Sequence, residues 1–346
     1  MFFIQSVRNQ KKRTLGCLTL VAILLNLTAC GGDSNLSDVQ SNGTIERVAP
    51  EFDLLVPMDA TIEKLAGGFA FTEGPVWDRR NNQLYFSDLS SNAIHTWSDA
   101  EGLKTFLNPV FDGETEHAMV GSNGLTIDSE GRLLLMEHGN RVVSRIEADG
   151  SRTILANDYN GDRLNSPNDS VWHSNGWLYF TDPPYGLAGL EQDPLRELAF
   201  NGIYRLQPES GEVQLLERTQ SRPNGLALSV DERTLYVANS DENDKVWYSY
   251  EVGDRGELSN QQVFFDVNDQ DGVGAADGMK IDIDGNIFAT GPGGVWVFDP
   301  RGNHLGTIKP DEVPANVGWG DDGSTLYMTA RSGLYRIRLS TSGLVP

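Results

Sequence analysis

The 346-residue chain is poor in cysteine, histidine and basic residues, and each shortage excludes a class of protein or site. Its two cysteines, Cys17 and Cys30, both lie near the N-terminus, so the rest of the chain has no pair from which to form a disulfide. Lys and Arg number 27 against 49 Asp and Glu, a formal net charge of -22. A surface of this sign repels nucleic acid and anionic lipid head groups, so neither is an expected partner.

Familiar catalytic and binding motifs are also missing. The chain contains no Gly-x-Ser-x-Gly sequence, which argues against a serine hydrolase. Gly291–Gly294 is glycine-rich but lacks the Lys of a phosphate-binding loop, and the acidic segments 158–162 and 266–272 lack the full calcium-loop pattern. No segment shows a convincing helical periodicity of apolar residues.

What the chain does contain is a sixfold repeat. A polar residue recurs about ten residues before a short apolar pair, with 39 to 56 residues between successive copies. The six copies are Glu73 before Leu84 and Tyr85, Asn123 before Leu133 and Leu134, Asn168 before Leu178 and Tyr179, Asn224 before Leu235 and Tyr236, Asp277 before Ile287 and Phe288, and Asn316 before Leu326 and Tyr327. Units of roughly this length with several short strands are typical of propeller blades. The sequence therefore predicts an all-β, six-bladed β-propeller.

Rotation about the propeller axis places equivalent positions of the blades in a ring. We expect the six polar side chains to converge on the mouth of the central channel, with a metal among them. One Glu, one Asp and four Asn offer oxygen donors, which suit Ca²⁺ better than zinc or copper, although other divalent metals are possible. The alternative is that pairs such as Asn123-Gly124 only shape six similar turns.

Five longer motifs carry a resemblance to a known family. They are Phe71–Trp77 (FTEGPVW), Leu164–Asp169 (LNSPND), Tyr179–Gly186 (YFTDPPYG), Arg222–Ser229 (RPNGLALS) and Gly291–Phe298 (GPGGVWVF). Together they resemble the senescence marker protein 30/gluconolactonase/luciferin-regenerating-enzyme family. The resemblance implies a six-bladed propeller with a divalent cation, usually Ca²⁺, in the central channel. It also implies hydrolysis of a sugar lactone or a related ester.

The same resemblance divides the ring into two groups. It implies that the metal ligands are Glu73, Asn168, Asn224 and Asp277. Asn123 and Asn316 are left as candidates for substrate binding or for the outer shell of the metal. Asp277 is also the acid/base residue that the resemblance implies.

The chemistry leaves two candidate bases. A bound cation polarises the lactone carbonyl, and a nearby group must accept a proton from the attacking water. Asp277 is one candidate, and His138, just after the second predicted strand of unit two, is the other because imidazole titrates near neutral pH. The sequence does not decide between them.

The N-terminal segment predicts export. Basic residues precede an apolar run from Leu15 to Leu27, which is short for a permanent membrane span and typical of a signal peptide. The run ends in Leu-Thr-Ala-Cys30, which resembles a bacterial lipobox. We therefore predict a signal peptide over 1–29, lipidation at Cys30 followed by a flexible tether over 30–50, and one propeller domain over 51–346. The protein would then be periplasmic or anchored in the outer membrane, touching the membrane only through its lipid.

The predicted function is Ca²⁺-dependent hydrolysis of sugar lactones, with a small lactone as the partner. Two alternatives stay open at this stage. One is hydrolysis of other lactones, esters or organophosphates, because polarisation by a metal does not depend on the acyl group. The other is a non-enzymatic, tethered binding propeller in which the metal is structural.

Overall fold

The computed structural model describes residues 41–115 and 117–345, and this part of the chain is almost entirely β-structure. The predicted signal peptide, Cys30 and the first part of the predicted tether lie outside the described residues. Helical structure in the described part comprises a short α-helix, Phe52–Leu55, and a 3₁₀ turn, Leu190–Gln192. Neither has the length needed to cross a membrane.

Six antiparallel sheets form the six blades of a propeller, which confirms the predicted fold class. From the innermost strand outward, the blades are Thr72–Asp78, Gln83–Asp88, Ala93–Ser98 and Gly102–Leu107 (blade one); Ser122–Ile127, Leu133–Glu137, Val142–Ile146 and Arg152–Ala156 (blade two); Ser170–Trp172, Leu178–Asp182, Gly202–Gln207 and Glu212–Glu217 (blade three); Pro223–Leu228, Thr234–Asp241, Asp244–Val252 and Leu258–Asp266 (blade four); Met279–Ile281, Ile287–Gly291, Gly294–Phe298 and His304–Pro310 (blade five); and Pro314–Gly320, Thr325–Ala330, Gly333–Arg338 and Ile62–Gly67 (blade six). A small hairpin of Asp158–Tyr159 and Asp162–Arg163 lies between blades two and three.

Burial on both faces explains the composition of the inner strands. Every residue of Thr72–Asp78, Leu178–Asp182 and Pro314–Gly320 is buried, since each sheet packs against both neighbouring blades. At the junction of blades one and six, Trp77 stacks on Tyr327 with ring centroids 5.5 Å apart. Apolar packing of this kind between blades holds the ring of sheets together.

Strands from the two ends of the described chain close the propeller. Ile62–Gly67 pairs antiparallel with Gly333–Arg338 and completes blade six. Closure leaves no long unpaired edge at this junction. One boundary needs correction: Gly43–Arg47, assigned to the flexible tether over 30–50, pairs with His304–Pro310 as a fifth strand of blade five. The folded domain therefore begins before residue 51, because this strand finds its partner about 260 residues later.

Candidate active site

The six repeated polar residues lie in or just before the innermost strand of each blade, where neighbouring inner strands approach closely. Four of the six are followed by a glycine that makes this approach possible. A Cβ atom on Gly74 would lie 2.2 Å from the carbonyl oxygen of Asn123, and one on Gly124 would lie 2.6 Å from that of Asn168. A Cβ on Gly225 would lie 2.4 Å from the carbonyl oxygen of Asp277. These glycines are thus required for close packing of neighbouring inner strands.

Hydrogen bonds and one further glycine complete the circle. Thr181 of blade three donates through Oγ1 to the carbonyl oxygen of Asn224 at 2.8 Å. A Cβ on Gly278 would lie 2.1 Å from Oδ1 of Asn316, and Asn316 donates through Nδ2 to Oε2 of Glu73 at 3.2 Å. The polar residues therefore form a continuous ring. The pairs Asn123-Gly124 and Asn224-Gly225 lie inside the inner strands of blades two and four, so they do not form simple turns.

The ring is polar yet closed off from solvent. Glu73, Asn123, Asn168, Asn224 and Asn316 are between 1% and 6% exposed. Buried oxygens normally accept a hydrogen bond. Oδ1 of Asn123, Oδ1 of Asn168 and Oδ1 of Asp277 are buried and accept none from the described residues. Three such acceptors in one ring form a set that a cation would satisfy.

The raised pKa values of two carboxyl groups in the ring also favour a bound cation. Burial, together with the nearby Asp169 carboxylate, raises the pKa of Glu73 to about 7, despite the hydrogen bond from the Gly74 N–H. Burial and the neighbouring Glu73 and Asp169 carboxylates raise the pKa of Asp277 well above its usual range. Carboxylates placed so close together in a buried site disfavour their own ionised forms. A cation among them would remove that penalty.

Asp277 differs from the other members in exposure. The residue as a whole is partly exposed, whereas its Oδ1 atom is buried. A carboxyl group whose pKa is raised toward neutral is better suited to accept a proton from water than an ordinary carboxylate.

A chain of hydrogen bonds fixes the amide of Asn224. Its Nδ2 donates to Oγ of Ser240 at 2.8 Å, and the same oxygen lies 2.8 Å from Oη of Tyr185. Because the nitrogen is held by Ser240, the Oδ1 atom of Asn224 is directed away from that hydroxyl. Burial raises the pKa of Tyr185, with a contribution from nearby Asp277, so the phenol stays protonated beside the ring.

Asn316 is engaged with the protein on both ends of its amide. Its Nδ2 lies 3.2 Å from Oε2 of Glu73 and 3.2 Å from Oδ2 of Asp169, and its Oδ1 accepts the N–H of Val317. Of the two roles left open for this residue, the contacts favour support of the ring over direct substrate binding. Asp169 is a buried carboxylate that the sequence reasoning did not select. Its position directly after Asn168 was the available signal.

His138 lies at the mouth-side end of blade two but is fully buried. Its two ring nitrogens form no hydrogen bond that meets normal geometry, and the backbone of Gly186 packs against it. Burial, with a smaller effect of nearby His117, lowers the pKa of His138 to about 3. The imidazole is therefore neutral and a weak base, and it is buried among the described residues. A catalytic role for His138 stays a prediction.

The donor set fits a hard divalent cation. Among residues 41–115 and 117–345, no three His, Cys, Asp or Glu side chains are grouped as metal ligands, so a cation here needs amide oxygens as well. The ring supplies these beside two carboxylates. Mixed carboxylate and amide oxygens are the ligands of Ca²⁺ rather than of zinc. Glu73, Asn168, Asn224 and Asp277 stay the predicted ligands.

Comparison with known proteins gives a consistent result. Residues 71–332 match the family model described as the SMP-30/Gluconolactonase/LRE-like region. A gluconolactonase of Zymomonas mobilis is 36% identical over 312 residues, which cover 87% of each chain. A pentonolactonase of Haloferax volcanii is 27% identical over 75% of this chain and 81% of its own. The solved structure of a gluconolactonase of Xanthomonas campestris superposes with a TM-score of 0.76 at 30% identity, covering 86% of this chain and 96% of that one.

The fold and the central ring thus define a six-bladed propeller with an oxygen-rich centre. The chain belongs to the SMP-30/gluconolactonase/LRE-like family.

Proposed function

We propose that this protein hydrolyses sugar lactones with the help of one divalent cation, for which Ca²⁺ is the first candidate. The proposed ligands are Glu73, Asn168, Asn224 and Asp277. Membership of the family and the names of the relatives support the reaction class. The observation that carries the proposal is that two of the proposed ligands, Asn168 and Asp277, each have a buried Oδ1 that accepts no hydrogen bond from the described residues. Most buried oxygens in proteins accept a hydrogen bond, so two free acceptors beside the Glu73 carboxyl support a bound cation.

The chain's own residues divide the work of the reaction. When bound, the cation would polarise the lactone carbonyl and stabilise negative charge on its oxygen. Asp277 accepts the proton of the attacking water and returns it to the ring oxygen when the bond between that oxygen and the carbonyl carbon breaks. Asn123 has a free Oδ1 and an amide nitrogen, so it can accept from and donate to the hydroxyl groups of a sugar lactone. Asn316 holds Glu73 and Asp169 in place from behind.

A lactone panel tests this function. Purified protein is assayed for acid release from D-glucono-δ-lactone, a pentonolactone, an aliphatic lactone, a simple aryl ester and an organophosphate, with and without chelator. We expect hydroxylated lactones to be the best substrates, with activity lost in chelator and restored by Ca²⁺. Equal rates on all compounds, or activity indifferent to chelator, would contradict the proposal. No hydrolysis of any compound by the metal-loaded protein would favour a binding propeller instead.

We also propose that the protein works outside the cytoplasm, attached through a lipid on Cys30. The apolar run and the Leu-Thr-Ala-Cys sequence support this placement. In a bacterial host, Cys30→Ser should move the protein from the detergent-soluble membrane fraction to the soluble fraction. A wild-type protein found in the soluble fraction with an unmodified Cys30 by mass spectrometry would contradict it.

A further inference from the structure

A second polar cavity lies beside the ring, between blades three and four. Its volume is about 540 Å³, within the roughly 300–1,000 Å³ of small-molecule sites. Among the described residues, its lining includes no member of the ring. It does include Glu191, Arg196, Phe200, Gln220, Arg222 and Asn243.

Strand register places this cavity on the same face of the propeller as the channel mouth. Arg222 directly precedes the inner strand that carries Asn224, and its carbonyl accepts the N–H of Ser240. Asn201, also in the lining, precedes the strand whose first residue, Gly202, pairs with Asp182 at the mouth-side end of blade three. The cavity is therefore formed by loops that surround the mouth.

Tyr185 connects the cavity to the ring. The guanidinium of Arg222, which lines the cavity, lies 5.9 Å from the centre of the Tyr185 ring. Tyr185 in turn reaches Ser240, and Ser240 holds the candidate ligand Asn224. Tyr185 is partly exposed. Contacts through Arg222, Tyr185 and Ser240 therefore connect the lining of the cavity with the ring.

Two buried polar atoms of the lining residues have no hydrogen-bond partner in the part of the chain that the structure describes. Gln220 is 5% exposed, and its Nε2 donates to Oη of Tyr250 at 2.8 Å while its Oε1 accepts no hydrogen bond. Arg196 donates through Nη2 to Asn201 at 3.0 Å, but its buried Nε has no acceptor. Among the described residues, Gln220 thus keeps one unsatisfied acceptor and Arg196 one unsatisfied donor. A hydroxyl group, which both donates and accepts, matches such a pair.

The charges of the lining favour a neutral ligand. Three arginines, Arg196, Arg218 and Arg222, are matched in number by Glu191, Asp241 and Glu242. The Arg222 guanidinium and the Glu191 carboxylate form a two-bonded ion pair, at 2.8 and 3.1 Å. Paired in this way, the cavity has little excess charge with which to select an anion.

We propose that this cavity is a subsite for a second, neutral sugar unit, so that the enzyme accepts lactones carrying a glycosyl substituent. The proposal rests on the lactone hydrolysis proposed above and names a wider substrate class for it. The sugar hydroxyls bind to Gln220 and Arg196, with the aromatic ring of Phe200 available to the apolar face of the sugar. The lactone ring occupies the channel mouth on the other side of Tyr185.

The kinetic test compares two substrates. The ratio of kcat/KM for cellobiono-δ-lactone to that for D-glucono-δ-lactone is measured for wild type, Gln220→Ala and Asn243→Trp. We expect the ratio to fall about three- to tenfold in Gln220→Ala, the scale of one lost hydrogen bond, and further in Asn243→Trp, which fills the cavity from an exposed position. Gln214→Ala on the outer strand of blade three is the control and should keep the wild-type ratio.

Direct binding separates the subsite from the reaction. Calorimetric titration of wild type with cellobiitol, a neutral disaccharide alditol, should show binding that Gln220→Ala weakens and Gln214→Ala does not. Binding of cellobiitol by a protein that hydrolyses no lactone would overturn the proposed function and keep the sugar subsite. Unchanged substrate ratios in both cavity variants together with no binding of cellobiitol would overturn the subsite. Preferential binding of sorbitol phosphate over cellobiitol would also overturn it, in favour of an anion site.

Discussion

Two aspartates of this propeller, Asp299 and Asp277, have opposite environments. Asp299 lies in a hairpin turn of blade five, and its oxygens accept from the N–H groups of Arg301 and Asn303 at 2.9 Å each and from both of those side chains. Asp277 lies in the central ring, and its Oδ1 accepts nothing from the described residues. The chain satisfies the first carboxylate and leaves the second unsatisfied.

The pKa values follow this difference. Burial alone would raise the pKa of Asp299, but the hydrogen bonds from Asn303 and Arg301 outweigh it and lower the value to about 2. Burial raises the pKa of Asp277, and the neighbouring Glu73 and Asp169 raise it further. A carboxylate that the protein fully solvates stabilises the fold, whereas one surrounded by like charge and free oxygens has capacity left for a ligand.

The largest effect that this comparison predicts is on turnover. Asp277→Asn should lower kcat about a hundredfold or more, the scale of lost general-base help, while its melting temperature in chelator stays the same or rises because a repelling charge is removed. Asp299→Asn should do the reverse, with the free energy of unfolding lowered by about 1–3 kcal/mol and kcat nearly unchanged. Bound metal is measured for both variants. If the two variants lost activity equally at full metal occupancy, the assignment of a catalytic role to Asp277 and a structural role to Asp299 would be wrong.

The second effect is on the pH dependence of stability without metal. The pKa of Glu73 is raised from 4.5 to about 7 in the folded protein. Between these two pH values the folded state therefore binds more protons than the unfolded state. Stability of the chelated protein should therefore fall as pH rises from about 4.5 to 7, by about 3 kcal/mol if this group titrates fully. Denaturant unfolding at several pH values measures the slope. Glu73→Gln should flatten it, and added Ca²⁺ should oppose it; an unchanged slope in Glu73→Gln would contradict the assigned cause.

A third effect separates two asparagines of the ring. Asn316→Ala should lower the free energy of unfolding by about 1–3 kcal/mol, because Glu73 and Asp169 lose their shared donor. Asn123→Ala removes an oxygen that accepts nothing, so stability should change by less than about 1 kcal/mol. Its effect should appear in kcat/KM for hydroxylated lactones and be smaller for a lactone without ring hydroxyls. A large loss of stability in Asn123→Ala would show that it supports the fold instead.

The sequence predicts the ring well because each member repeats in the same place in its blade. Repetition reveals neither Asp169, which occurs in one blade, nor the contact of Tyr185 with Ser240, which joins residues 55 apart. The strand Gly43–Arg47 was missed because its partner is at the other end of the chain. These features depend on long-range packing, which local patterns do not encode.

The smallest effect is expected at His138. Its ring is buried and its pKa is lowered to about 3, so it neither reaches water nor binds protons strongly at neutral pH. His138→Gln should therefore change kcat by less than about threefold, far below the hundredfold of a general base. Full pH–rate profiles of wild type and His138→Gln check this. Loss of turnover in His138→Gln, with Asp277→Asn still active, would reverse the assignment of the base.

Calorimetric titration of Ca²⁺ into chelator-treated, dialysed protein tests the central claim most directly, because it asks whether the unsatisfied oxygens of the ring form a cation site. The account predicts one high-affinity site per chain, with protons released on binding at pH 7 because the cation ionises Glu73 and Asp277. Asp277→Asn should weaken the site, and Asp299→Asn should leave it intact. A wild-type protein that binds no divalent cation would contradict this assignment. So would a double variant, with Glu73 and Asp277 both replaced by amides, that binds the cation as tightly as wild type.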